Sequence, residues 1–538
     1  MRIGKSFFLS SAAGIAAFSG AQAADLPVKV RPVEYVKVCS LYGAGFFYIP
    51  GTDKCIKIGG LLREQWDIHG AGDGFALMNT TDGTWTRGNT SDSSFRTRAV
   101  VTIDVREQSS YGTIRAYMAI GAQQTTPGDP NSALFFNRSF LQFAGFTGGR
   151  AISFFDFISY EPFGLSNVRP NVGNTGATGI DVFAYTAQFG NGVSATIPAE
   201  AACAELGGAN NGTTFNGIGA GRKCLVMNAS IAAAMSPGNN TTADAGYNIP
   251  DIVGSLRVDQ AWGSAQIMGA YHRVAASYYG VSTATELQNN GHPTDRAGWA
   301  VGGGFLLKDF LGMPGDQFGV QANYAVGAVS YITSSGTGAL AGFSGGANGL
   351  GNSISFGSVI DGVYTSNLGT TTAGCSAALA GTAACGSGIE LTKGWTVGGI
   401  YEHKWNPQCK SSVYGGYVQI TYGDTAANYI CNGAFNPTFV RGAAAGAGSP
   451  VLTATTGNSL SSCDPNLKFW SLGTRTQWNP NSNLDLGVDV MWNHLTSANS
   501  GTFNSGTVTY GGRPAGAFNI SNYDIITAAI RAQYNFLP

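Results

Sequence analysis

The side chains with chemical potential in this sequence begin with two arginines set two residues apart. FRTRAVVTIDVR, residues 95 to 106, carries Arg96 and Arg98; Arg63 and Arg115 stand in neighbouring stretches of similar pattern, and Asp156 and Glu161 follow in a segment of another character. No nucleophile and base come with them. Cations on one surface with carboxylates opposite would do electrostatic work, laying a field across a narrow space that orients polar molecules and rejects apolar ones. The plainer reading is that the arginines only hydrate a wet wall. The elements that carry them decide between the two.

Those elements are strands. In residues 95 to 106, Phe95, Thr97, Ala99, Val101, Ile103 and Val105 form one alternate set and Arg96, Arg98, Val100, Thr102, Asp104 and Arg106 the other, a period of two with opposite faces. In a soluble sandwich the apolar face would meet a protein core; in a membrane barrel it would meet lipid, and the arginines would line water. The same alternation recurs to the C-terminus. GGLLREQWDI, FRTRAVVTIDVR, TIRAYMAI, FNRSFLQFAGF, AISFFDF (after a TGGR turn), IDVFAYTAQF, VSATIPA and DIVGSLRV are followed by SAQIMGAYHRV, WAVGGGFLL, FGVQANYAVG, WTVGGIYEHK, SSVYGGYVQITY, KFWSLGTRTQW, LDLGVDVMWNHL and YDIITAAIRAQYNF. These are sixteen strands whose connections alternate between short turns and longer loops, the pattern of an outer-membrane barrel. Trp470, Trp478, Tyr414, Tyr422, Tyr324, Trp395 and Trp492 fall near strand ends on the apolar side, where aromatic girdles meet headgroups. Glu64 is the awkward residue: its parity points it outward, to a subunit contact or a strand end.

Composition agrees. Charged residues are 11% of the chain, against roughly 25% in soluble domains. The 78 glycines come with no apolar run of about 18 residues after the first two dozen, so spanning helices are absent and a closed barrel is the remaining spanning structure. MRIGKSFFLSSAAGIAAFSGAQA has a basic start, a short apolar stretch and an A-x-A site, which predicts a cleaved export signal over residues 1–23; an uncleaved anchor would need a longer run. Removing Arg2 and Lys5 from 30 basic residues leaves 28 against 31 acidic ones, a net charge of −3, which excludes a dominant nucleic-acid surface. Nine cysteines fit an oxidising compartment. Cys39 with Cys55, Cys203 with Cys224, Cys375 with Cys385 and Cys431 with Cys463 each bracket a loop in this reading, leaving Cys409 over, although connectivity is not fixed by sequence. There is no C-x-x-C and the five histidines are scattered, so zinc ligation is unsupported and no cofactor is expected.

Two motifs are decoys. GFSGG at 342–346 matches a nucleophile elbow but lies in a Gly/Ser-rich loop without the strand and helix that the elbow needs. The triplets NTT at 79–81 and NTS at 89–91 match glycosylation acceptors and carry no weight in a bacterial-looking exported chain.

VEYVKVCSLYGAGFFYIPGTDKCIKIGG, residues 33 to 60, resembles the N-terminal signature of the alphaproteobacterial (rhizobial-type) porins; NRSFLQFAGFTGGRAISFFDF and TRTQWNPNSNLDLGVDVMW resemble later segments of that family. The resemblance implies a homotrimer of sixteen-stranded antiparallel transmembrane β-barrels among outer-membrane lipids. It further implies short periplasmic turns, long external loops with the third folded into the lumen, and passive diffusion of small hydrophilic solutes and ions. The expected organisation is a signal peptide at 1–23, an N-terminal segment at 24–59 with a Cys39–Cys55 disulfide, and a barrel over 60–538. Two departures stand out: the chain ends Asn535-Phe536-Leu537-Pro538, so its terminal aromatic sits two residues early, and the external loops are long for the family.

Arg63, Arg96, Arg98 and Arg115 are therefore the expected basic side of a constriction, and Asp156 and Glu161 its acidic side on the third loop. Two other functions compete. A barrel phospholipase would need a Ser/His pair on the outer face; His272 and His403 lie within strands without an identifiable serine. A secreted β-rich adhesin would show a repeated unit, which is absent.

Overall fold

The structure, a computed structural model, describes residues 38–68, 93–126, 129–165, 172, 175, 179–201, 226–229, 245, 249–277, 279, 292–333, 340–344, 353–365, 386–431, 439–442, 451–454, 459–504 and 516–536. The leader at 1–23, the triplets at 79–81 and 89–91, and Cys203, Cys224, Cys375 and Cys385 lie outside them.

Sixteen strands form one closed antiparallel wall: β1 (Cys55–Ile68), β2 (Ser93–Ser109), β3 (Gly112–Thr126), β4 (Asp129–Phe143), β5 (Phe146–Ala151), β6 (Ile180–Gly190), β7 (Val193–Glu200), β8 (Asp251–Gln260), β9 (Gly263–Val274), β10 (Arg296–Lys308), β11 (Gln317–Val326), β12 (Lys393–Asn406), β13 (Cys409–Thr421), β14 (Leu467–Asn481), β15 (Leu484–Thr496) and β16 (Tyr523–Phe536). Each pairs with the next, and β16 pairs back on β1 from Gly60↔Phe536 to Ile68↔Ala528. At that seam a Cβ on Gly60 would lie 2.6 Å from the Phe536 ring, so only glycine lets the last aromatic of the wall pack there.

The wall is inside out relative to a soluble sheet. Phe95 is 59% exposed while its neighbour Arg96 is 2% exposed. Leu62, Trp66, Val101, Leu141, Phe183, Ile197, Ile267, Leu472, Val488 and Ile526 stand exposed, and the alternate positions bury Gln65, Asp67, Asp104, Gln321, Asn323, Glu402, Arg475 and Asp489. In water each large exposed side chain would forgo about 1.5–3 kcal/mol of burial, which a hydrocarbon surround restores. Glu64 keeps its outward parity and accepts a hydrogen bond from Thr97 Oγ1 across the β1–β2 ladder (2.8 Å).

An aromatic belt crosses seven strands at the long-loop end. Tyr271 pairs across from Trp299, which lies 5.6 Å from Tyr324; Tyr324 pairs with Trp395, 5.0 Å from Tyr417; Tyr417 pairs with Trp470, 4.9 Å from Trp492. Two expected girdle residues face the other way: Tyr414 and Tyr422 are buried inward, because each lies one residue out of step with the exposed Val413 or the outward Tyr417.

Three details differ from the sequence reading. β1 starts at Cys55, five residues before the expected boundary at 60, since CIKI continues the alternation opposite Arg106 to Ile103. The turn before β5 is Ala144-Gly145, both with positive φ, closed by Phe143↔Phe146. TGGR is therefore part of β5, and SFFDF leaves the wall as the start of a loop. GFSGG contributes residues 342–344 to an antiparallel strand pair, Leu340–Ser344 with Ser353–Ser358, rather than to an elbow.

Cys39 and Cys55 are disulfide-bonded, as are Cys431 and Cys463, and Cys409 is free. The first bond staples a hairpin at the short-turn end of β1, where Phe47–Tyr48 pairs with Cys55–Ile56 and the Arg106 guanidinium stacks 4.8 Å over the Phe46 ring. The largest apolar core lies inside the cylinder. Inward Val253, Met268, Ala300, Ala325, Val418, Ile420, Phe469 and Leu495, from β8 to β15, pack against loop residues Met227, Val329, Tyr331, Ile332, Ile360, Val363 and Ile430.

Candidate functional site

The segment after β5 is positioned by a succession of wall side chains. Ser153 Oγ and Phe154 N donate to Glu200 of β7 (2.6 and 2.7 Å), and Phe154 O accepts from Gln266 of β9 (3.1 Å). Ile158 N donates to Gln321 of β11 (2.8 Å), and Tyr160 Oη donates to Gly415 O of β13 (3.0 Å). Phe163 O accepts from Ser412 of β13, and Pro162 O from Arg475 of β14. Leu165 N donates to Asp489 of β15 (2.9 Å), and Leu165 O accepts from Arg531 of β16 (3.0 Å). Glycines on both the wall and the loop make the fit. The Tyr160 hydroxyl occupies the space where a Cβ on Gly398 of β12 would stand, 1.9 Å away, and Gly164 abuts the Tyr414 ring.

Between this segment and the wall from β13 round to β1 lies a cavity of about 360 Å³. Glu161, Pro162 and Leu165 line it on one side; Arg63, Lys410, Arg475, Asp485 and Arg531, with the amides Gln477, Asn479 and Gln533, line it on the other. Arg63 Nε donates to Gln533 (2.8 Å) and Arg531 Nε to Gln65 (2.6 Å), which holds both guanidiniums against the wall. Arg475 and Lys410 (3.2 Å) both bond to Glu402. Asp485 accepts from three amide groups, those of Asn479, Asn535 (3.0 Å) and Gln477 (3.3 Å).

Arg63 and Glu161 thus come together in one lining. Arg98 stands next to them, directly across the ladder from Arg63; its Nε donates to Gln123 (2.7 Å) and its guanidinium lies 4.9 Å over the Phe135 ring. The other three expected residues sit elsewhere. Arg96 is buried with Asp67 (3.3 Å). Arg115 forks onto Asp104 (3.0 Å) near the short-turn end, sharing that carboxylate with Arg106 (2.8 Å). Asp156 accepts from Thr175 N (2.7 Å) and braces its own loop. Arg475, Arg531 and Lys410 also line the cavity and are not among the expected residues, although the inward parity of Arg531 is readable in DIITAAIRAQYNF. His272 Nδ1 lies 2.8 Å from Asp251, and His403 Nδ1 lies 2.8 Å from Asp316, so both histidines are tied to carboxylates.

The sequence matches the Porin subfamily over residues 25–517. The chain belongs to that family. Porin Omp2b of Brucella melitensis biotype 1 is 29% identical over 281 residues, which span 50% of this chain and 66% of that porin, just under two thirds of its length. Porin Omp2b of Brucella suis is 29% identical over 304 residues, 54% of this chain and 71% of the relative. Among solved structures, the outer membrane channel DcaP of Acinetobacter baumannii superposes with a TM-score of 0.52 at 14% identity, covering 91% of this chain and 99% of that one; it shares the fold. This porin is accordingly a multi-pass barrel of the outer membrane, and its family points to a channel rather than an enzyme.

Proposed function

We propose that this porin forms a water-filled channel for passive diffusion of small hydrophilic solutes and ions. It would work as a homotrimer among outer-membrane lipids, with residues 152–165 belonging to a third external loop and folded into the lumen to narrow it. The carrying observation is the path of that loop. From Ser153 to Leu165 it bonds in turn to strands from β7 to β16. Nine strand spacings along the wall amount to roughly 43 Å. Twelve residues reach about 40 Å only when fully extended, and this stretch spends length on a turn in which Phe163 N and Gly164 N return to Tyr160 O. A route across the inside of the cylinder fits these lengths, whereas an outer route is longer still.

The constriction then lies at the 360 Å³ cavity, with Glu161 facing Arg63 and Arg531 across it. Arg98 stands beside them, while Arg96, Arg115 and Asp156 add charge without lining it. Opposed charges of this kind orient a dipole in transit and leave an apolar solute with water to displace and nothing to gain. Reconstitution into planar bilayers tests the reading: discrete, ohmic conductance steps are expected, and protein that inserts yet never carries current would sink it.

A further inference from the structure

We infer that the outward face of β14 to β16, at the long-loop end, is a binding site for a lipid with an anionic sugar headgroup. The site lies on the outside of the wall and does not depend on conduction. On β14, Lys468 and Trp470 share the outward face with exposed Leu472; on β15, Trp492 and His494 share it with exposed Val490; on β16, Asp524 shares it with exposed Ile526. The ladder sets His494 between Trp470 and Asp524. Lys468 lies two residues beyond Trp470 toward the long loop, roughly 7 Å higher on the wall.

An aromatic belt by itself needs no carboxylate, yet this stretch of it is built round one. Asp524 Oδ1 accepts from Trp492 Nε1 (2.9 Å) and lies 2.8 Å from His494 Nδ1. The Trp470 ring stacks on the His494 imidazole at 5.5 Å and meets Trp492 edge-on at 4.9 Å. A carboxylate is costly against hydrocarbon, so this cluster belongs at headgroup level. Its bonds fix the rings before a ligand arrives, which leaves less ordering to set against affinity. The Asp524 side chain is 38% exposed and its Oδ2 takes neither bond, so it can accept from a hydroxyl. Trp492, 47% exposed, offers the negative face of an indole to the C–H face of a sugar ring. Above them Lys468 presents an ammonium to phosphate or carboxylate. Below them Leu472, Val490 and Ile526 meet acyl chains, which is why the occupant is a lipid and not a free sugar.

The test is equilibrium binding of fluorescently labelled lipopolysaccharide, a phosphorylated glycolipid, to the purified porin in a polyoxyethylene detergent, which has no sugar to compete. It should bind about tenfold more tightly than phosphatidylglycerol, charged without a sugar, or digalactosyldiacylglycerol, a sugar without charge; two contacts of roughly 0.7 kcal/mol each suffice for that factor. Lys468→Ala should weaken it about fivefold, the effect of one lysine near an anionic headgroup, and Trp492→Leu should weaken it as well. Asp524→Asn separates two kinds of recognition: charge alone predicts tighter binding once the carboxylate is neutralised, whereas a sugar hydroxyl bonded to Asp524 predicts weaker binding. Trp478→Leu, an exposed tryptophan at the opposite end of β14, should change nothing. Heat-modifiable migration on gels shows that each variant has closed its barrel. Equal affinity for the three lipids, tighter binding by Asp524→Asn, or an equal loss in Trp478→Leu overturns the inference. De-acylated lipopolysaccharide that binds as tightly as the intact lipid assigns the patch to a soluble glycan and overturns it too. Binding is read in micelles and conductance in bilayers, so a failed site and a failed channel are told apart.

Discussion

The two sides of this cylinder use one strand code for opposite ends. On β1 to β4 the inward positions include arginine, glutamine, threonine and aspartate, beside the aromatic rings of Tyr117, Phe135 and Phe140. On the long-loop half of β8 to β15 they include valine, isoleucine, methionine, alanine and phenylalanine, and loop residues such as Val329, Ile332 and Ile360 lie completely buried on them. Inward means polar groups, several of them buried on one another, on the first side and an apolar filling on the second. A porin is thus less a uniform pipe than a half-filled one, its conducting strip set by where the filling stops.

Breaking the dry side should cost most. Phe155 is fully buried with its ring 4.6 Å from that of Tyr331, where the third loop meets the filling. Phe155→Ala should lower unfolding stability by about 3–5 kcal/mol, as aromatic deletions do in closed cores. Denaturant unfolding of the folded barrel in detergent measures this, and a loss under 1 kcal/mol would mean that the filling is not a true core. Where the third loop crosses β12, Gly398→Val drives a side chain into the place of the Tyr160 hydroxyl. Overpacking of this kind costs about 1–3 kcal/mol, and a displaced loop should change single-channel conductance; unaltered conductance would detach the loop from the constriction. The smallest effect is expected outside both regions, at the turn between β10 and β11. Burial pushes the Asp316 carboxyl up, but hydrogen bonds from His403, Lys404 N and Tyr401 outweigh it and hold the carboxyl below the usual carboxylate range. A depressed carboxylate stabilises the fold above its unfolded value near 3.9 and loses that contribution as pH falls through the lower folded value. Asp316→Asn should therefore remove a small stabilisation at neutral pH and flatten the stability profile below pH about 4; an unchanged acid limb would show the turn to be indifferent to this charge.

The wet side was legible in the sequence and the dry side was not, for one physical reason. Period two states which residues share a face, and that sufficed for sixteen strands, for Arg63 and Arg98, and for the outward Glu64. It does not state what covers the inner face. Val418 and Ile420 alternate correctly and give no sign that Ile332 and Ile360 rest on them, because those contacts join residues far apart in the chain. Arg475 meets Pro162 and Arg531 meets Leu165 across more than 300 positions, so the cavity they line with Glu161 has no local signature. Tyr414 is instead a matter of parity: one position from the exposed Val413, it faces inward, where its hydroxyl bonds to Asp489. The TGGR error was local, since Ala144 adopts the left-handed conformation that glycine usually supplies.

The seam between β1 and β16 bears on how this molecule is made. Arg63 and Gln533, which meet there, stand 470 positions apart. No fragment that lacks β16 can seal, because β16 is the strand that bridges β15 and β1. The entropy of drawing such distant ends together grows only with the logarithm of the intervening length, so extended outer loops add little to that burden. Elaboration of the outer face is therefore nearly free of assembly consequences, whereas loss of the terminal strand is fatal.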